Sequence, residues 1–171
     1  MWQWAHLLGF NLYWLLAVTW QQPGPLLALL LLHFLFSPRS WHDWRLIPVA
    51  LAGSLLDALL WQLGLFYFNT GFPLWLVLLW CGFALTLCHG LRWLRPLPRW
   101  QQGLFGMVGG ASSYVAGAAM GAVHLPWGIG ISAALLAVIW MWWLPVLLWV
   151  TVKLEGDAGY QHAAGTGDGL A

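Results

Sequence analysis

Gly53-Ser54-Leu55-Leu56-Asp57-Ala58-Leu59-Leu60-Trp61 decides how the chain is read. It lies inside a long apolar run, 46–68, and sets a carboxyl group in its middle. No other Asp, Glu, Lys or Arg occupies the middle of an apolar segment. A carboxylate at bilayer depth costs on the order of 3 kcal/mol, so Asp57 needs hydrogen-bonding partners on neighbouring helices.

The rest of the composition agrees with a lipid solvent. Of 171 residues, 61% are hydrophobic and only 6% charged, with mean hydropathy +0.75. A soluble domain carries about 25% charged residues, and one small core could not bury this much apolar surface. The chain has 16 Trp, a residue that favours membrane interfaces. A net charge of +1 gives no reason to expect nucleic acid. Cys81 and Cys88 share a helix face but stand roughly 10 Å apart along the axis, too far for a disulfide. The N-terminal residues lack a basic region and a small-residue cleavage site, so the first apolar stretch reads as a retained helix.

Turn signals divide the chain into six apolar segments, about 2–20, 26–36, 46–68, 74–94, 100–123 and 129–152. Five reach the ~20 residues that cross ~30 Å of hydrocarbon. Segment two is short; it spans if the Pro23–Pro25 turn enters the interface and is otherwise re-entrant. All 6 Lys and Arg fall in alternate connections: Arg39 and Arg45, then Arg92, Arg95 and Arg99, then Lys153. Positive charge marks the cytoplasmic side, which puts both termini in the cytoplasm. The expected fold is all-α, a polytopic bundle of six transmembrane helices. Residues 1–153 form one domain, and the Gly/Ala-rich stretch 154–171 is expected to be a disordered cytoplasmic tail. Residue matches show no internal repeat.

Helical rise places Asp57, twelve residues in from Arg45, near the midplane. Asn11, Thr86, Ser112, Ser113 and Tyr114 fall at similar depth, with His89 one turn nearer the cytoplasm. The candidate polar cluster is therefore Asn11, Asp57, Thr86, His89, Ser113 and Tyr114. Asp57 is either a neutral carboxyl tying helices together or a proton or ligand site. Asp57 and His89 are the only candidates for acid–base chemistry. Gly106, Gly110, Ser113, Gly117 and Gly121 form a small-residue stripe, which makes segment five the expected central helix. His6 and His33 reach the same cytoplasmic layer as His89. Their spacing contains no HxxxH or HxxE pair, so no metal and no cofactor is expected. Trp14, Trp140, Trp142 and Trp143 lie away from the segment ends, and Asp57 could accept a bond from a buried indole N–H. No HExxH, GxSxG, GxGxxG or Walker-type motif occurs.

Three stretches carry a family resemblance: Leu55-Leu56-Asp57-Ala58-Leu59-Leu60, Thr86-Leu87-Cys88-His89-Gly90-Leu91-Arg92-Trp93-Leu94, and Ser113-Tyr114-Val115-Ala116-Gly117 with Gly121-Ala122-Val123. Together the chain resembles a family of small multi-pass bacterial inner-membrane proteins of unknown function, over nearly its whole length. The resemblance implies a location and a helix count but no reaction. Family genes neighbour those of acyl-chain-modifying enzymes, which associates a lipid-linked role. Cys88 stands where the family pattern has Asn, one polar group fewer beside His89. The expected function is a non-catalytic membrane subunit that binds lipid or a peripheral lipid-modifying enzyme. The alternatives are a small proton-coupled transporter using Asp57 and a membrane enzyme acting on lipids.

Overall fold

The computed structural model describes residues 2–37 and 43–165, with side chains for 3–37 and 43–156. Arg39, His42 and the stretch beyond 165 lie outside the described residues. Among the described residues there are six α-helices and no strand: α1 (Trp2–Trp20), α2 (Pro23–Phe36), α3 (Ile47–Gln62), α4 (Leu74–Cys88), α5 (Arg99–Ala119) and α6 (Ile129–Gly165). Each apolar segment supplies one helix. Prolines start several of them: Pro23 opens α2, Pro73 precedes α4 and Pro98 precedes α5. A fixed φ and a missing N–H suit that position.

Segments three and four run past their helices. α3 stops because Gly64 takes φ 78°, and the Leu65 N–H bonds back to the Leu60 carbonyl at 3.0 Å. Glycine enters this left-handed turn without a Cβ penalty. The apolar residues 65–68 continue the segment as non-helical chain. α4 ends at Cys88, and a 3-10 turn at Arg92–Leu94 completes its segment. At the other extreme α6 continues past Lys153 to Gly165. Arg95 donates to both Glu155 oxygens, at 2.5 and 3.2 Å, and fixes this turn of α6.

The hub of the bundle is α4, which packs on α1, α2, α3 and α6. Segment five was the expected centre, and that expectation is corrected. Its small residues make one very close interface, with α6, instead of several. A Cβ on Gly106 would overlap the Trp140 carbonyl oxygen, and one on Gly110 would overlap the Trp140 ring.

A repeat hidden in the sequence emerges in three dimensions. The connections α3–α4 and α5–α6 meet in one antiparallel bridge, where Tyr67 and His124 exchange backbone hydrogen bonds of 3.0 and 2.9 Å. Around it the backbone repeats with the 57-residue offset that separates Tyr67 from His124. Gly64 and Gly121 both adopt positive φ after a helix, and Gly71 and Gly128 do so beyond the bridge. The bond from Leu65 N–H to the Leu60 carbonyl is matched by one from Ala122 N–H to the Gly117 carbonyl. Gly53 rests on the ring of Trp80, as Gly110 rests on that of Trp140, although the two tryptophans are 60 residues apart. Asp57 and Tyr114 occupy the 57-residue offset. The α3–α4 and α5–α6 hairpins therefore share one turn geometry at the bridge, with α1 and α2 packed on α4. Residue matches do not show it because what the two turns share is backbone geometry and glycine placement, while the surrounding side chains differ.

Large apolar side chains are exposed on every helix, among them Leu8, Leu31, Leu55, Leu74, Val108 and Trp142. Two helical stretches, Trp44–Gln62 and Ile129–Gly156, are long and apolar enough to cross a membrane. Pro23–Phe36 and Leu74–Cys88 are shorter apolar helices.

Candidate functional site

Asp57 lies where the two hairpins face each other, and it is fully buried. The Tyr114 hydroxyl donates to its Oδ1 at 2.6 Å, and the Trp80 indole N–H donates to its Oδ2 at 2.7 Å. Trp80 then stacks on Trp140, with ring centroids 5.7 Å apart and planes within 5°. Tyr114 stacks on Phe66 at 5.0 Å. Gly53 and Gly110 leave the space that lets the two indoles approach from opposite hairpins. Asp57 and Tyr114 stand 57 residues apart, the same offset as Tyr67 and His124. An acid on one hairpin and a hydroxyl on the other make a complementary pair.

Of the expected partners, only Tyr114 reaches the carboxyl. The Asn11 amide donates to the Leu7 carbonyl at 2.8 Å, Thr86 to Gly82 at 2.9 Å and Ser113 to Gly110 at 2.7 Å. Hydroxyls inside helices readily bond back to the preceding turn, which satisfies them locally. Trp80 was the missed partner. It is the indole in the middle of segment four, and an indole is a donor only, which suits a carboxyl whose oxygens accept.

Asn11, Asp57, Thr86, Ser113 and Tyr114 nevertheless line one cavity of about 570 Å³. Its walls are otherwise apolar and aromatic, built from residues such as Trp14, Trp75, Trp80, Phe83, Phe105 and Trp140. Asn11 on α1 and Gly109 and Ser112 on α5 are both exposed and cavity-lining, so the cavity opens sideways between α1 and α5. These two helices have no extensive contact with each other.

His89 belongs elsewhere. Its Nε2 lies 3.2 Å from Oδ1 of Asp43, and the Nε2 of His33 lies 3.0 Å from Oδ2. The Ser37 hydroxyl donates to the same Oδ2 at 3.1 Å. His6 stacks on His89 with centroids 4.7 Å apart and planes 17° apart. Asp43 is only 4% exposed. Burial opposes its charge, yet the hydrogen bonds from His33 and His89 hold its carboxyl well below the usual carboxylate range. A carboxylate only accepts, so both imidazoles present Nε2–H to it. The shared layer of His6, His33 and His89 is present as expected. Its organising residue, Asp43, was missed because it sits in a connection 46 positions from His89, where sequence spacing carries no signal. Among the described residues Asp57 and His89 share no hydrogen-bond partner.

Asp43 and His89 also border a second cavity of about 320 Å³, together with Arg45, Arg92 and Glu155. A protein-family model described as a protein of unknown function (DUF2878) matches residues 3–146. No curated protein and no solved structure matches the chain.

Proposed function

We propose that this chain, which belongs to that family of proteins of unknown function, is a multi-pass protein of the bacterial inner membrane that binds an acyl chain of a membrane lipid between α1 and α5. The carrying observation is the side-opening cavity of about 570 Å³, walled by aromatic rings. In a six-span bundle that mouth faces lipid tails. Ligand sites of this volume are mostly apolar with a few placed polar groups, as here. The exposed apolar side chains around every helix support the six-span arrangement. So does the confinement of Lys and Arg to alternate connections. The short helices α2 and α4 fit if their flanking turns lie in the headgroup layer.

A binding role is favoured over a proton-coupled or catalytic one. Both Asp57 oxygens already accept a hydrogen bond, and the residue has no exposed surface. Asp57 thus shapes the back of the cavity by holding Trp80 and Tyr114 in place.

The test is photocrosslinking in native membranes with a diazirine-bearing fatty acid, followed by mapping of the adducts. Adducts are expected on Trp14 and Phe105. Nothing lies within 4 Å of a Cβ at Gly109, so Gly109→Trp can enter the mouth without disturbing the fold. It should reduce these adducts several-fold and leave those on outward-facing Leu55 unchanged. Equal labelling of wild type and variant inside the cavity would overturn the reading.

A further inference from the structure

We propose that His33, Asp43 and His89 form a binding site for one divalent first-row transition cation such as Zn²⁺. One ligand atom from each of the three lies within 4.8 Å of the others. Ligand bonds of about 2.0–2.2 Å put neighbouring donor atoms of a tetrahedral site about 3.4 Å apart. The carboxyl oxygens of Asp43 already lie 3.0 and 3.2 Å from the two imidazole nitrogens. Admitting the ion takes an outward shift of a few tenths of an ångström at the carboxylate and a closing of up to about 1.4 Å between the most widely spaced donors. The ion would replace the two Nε2–H protons, which the rings can carry on Nδ1 instead.

The arrangement is built from distant parts of the chain. His33 comes from the last turn of α2, Asp43 from the connection before α3, and His89 from the end of α4. Asp43 is buried, and the stacked ring of His6 fixes the orientation of His89. Two imidazoles and one carboxylate form a donor set for first-row transition ions and leave coordination positions open. The open side has somewhere to face, because Asp43 and His89 border the cavity that also holds Arg45 and Arg92. A water or an anionic group fits there. This site is separate from the acyl-chain cavity and does not depend on that reading.

The experiment uses the purified full chain in detergent, stripped of metal and titrated with Co²⁺ and Zn²⁺. Wild type should bind one equivalent, give a Co²⁺ visible spectrum of nitrogen and oxygen ligation, and gain thermal stability with added Zn²⁺. His33→Ala and His89→Ala should each weaken binding at least tenfold. Asp43→Asn keeps the shape and the capacity to hydrogen-bond, and it should weaken binding similarly while eluting as a folded protein. His124→Ala, at the opposite end of the bundle, should bind as wild type does. His6→Phe preserves the stack and should also keep the ion. The assignment is overturned if wild type takes up no Co²⁺. It is equally overturned if the folded Asp43→Asn protein binds as tightly as wild type, or if His6→Phe loses as much as His89→Ala.

Discussion

Asp57→Ala is expected to lower the unfolding free energy by roughly 3 kcal/mol, measured by SDS titration in mixed micelles. The substitution leaves two donors, the Trp80 indole and the Tyr114 hydroxyl, in a dry place with no acceptor. Each stranded buried donor costs about 1–3 kcal/mol. Asp57→Asn should lose only about 1 kcal/mol. Its amide oxygen can accept from Trp80, and its NH₂ can donate to the phenol oxygen. In Asp57→Ala the effect of a further Trp80→Phe should be much smaller than in wild type, because the bond it removes is already gone. An alanine variant within 0.5 kcal/mol of wild type would mean that the knot does not hold the hairpins together. A folded Asp57→Asn protein that no longer labels in the cavity would return the carboxyl to the functional column.

Gly106→Leu should be at least as damaging, at roughly 3 kcal/mol. The obstacle is the backbone of α6: the Trp140 carbonyl oxygen and the Leu144 Cβ stand where the new Cβ would be. No rotamer avoids a clash at Cβ, so α5 and α6 must separate along their length. In lipid the close approach of small residues is itself the main attraction between helices. Gly109→Leu is the control. It adds the same side chain one turn away into open space and should leave stability within about 0.5 kcal/mol of wild type. Equal losses in the two variants would show that glycine content, and not interface geometry, is what matters.

The six helices were legible because each apolar run supplies one helix, and proline and glycine punctuate the runs. The burial of Asp57 was legible for the same reason: a lone acid in an apolar run must be paired. Tyr114 could be named from depth alone. An indole donor to Asp57 was foreseen, but among Trp14, Trp140, Trp142 and Trp143; Trp80, in the middle of segment four, was not one of them. Asp43 was invisible for a different reason. Its importance comes from three helix ends converging, and nothing local to residues 37–46 encodes that meeting. The repeat was hidden because what the hairpins share is carried by four glycines with positive φ and two that make room for indoles. A search for matching side chains passes over both. The helix ends were misjudged where Gly64 and the turn after Cys88 stop α3 and α4 inside apolar sequence, since hydropathy reports the solvent and not the backbone angle.

The Tyr67–His124 bridge also has a mechanical meaning. It joins the two hairpins through main-chain bonds at one end of the bundle. At the other end the chain itself joins them, through residues 89–98, and Arg95 of that connection holds Glu155 on α6. The two hairpins thus form a closed band, fastened by backbone at one end and by the continuous chain at the other. Between those ends they meet through side chains, Asp57 with Tyr114 and Trp80 with Trp140, so a load on either hairpin passes to the other at both ends.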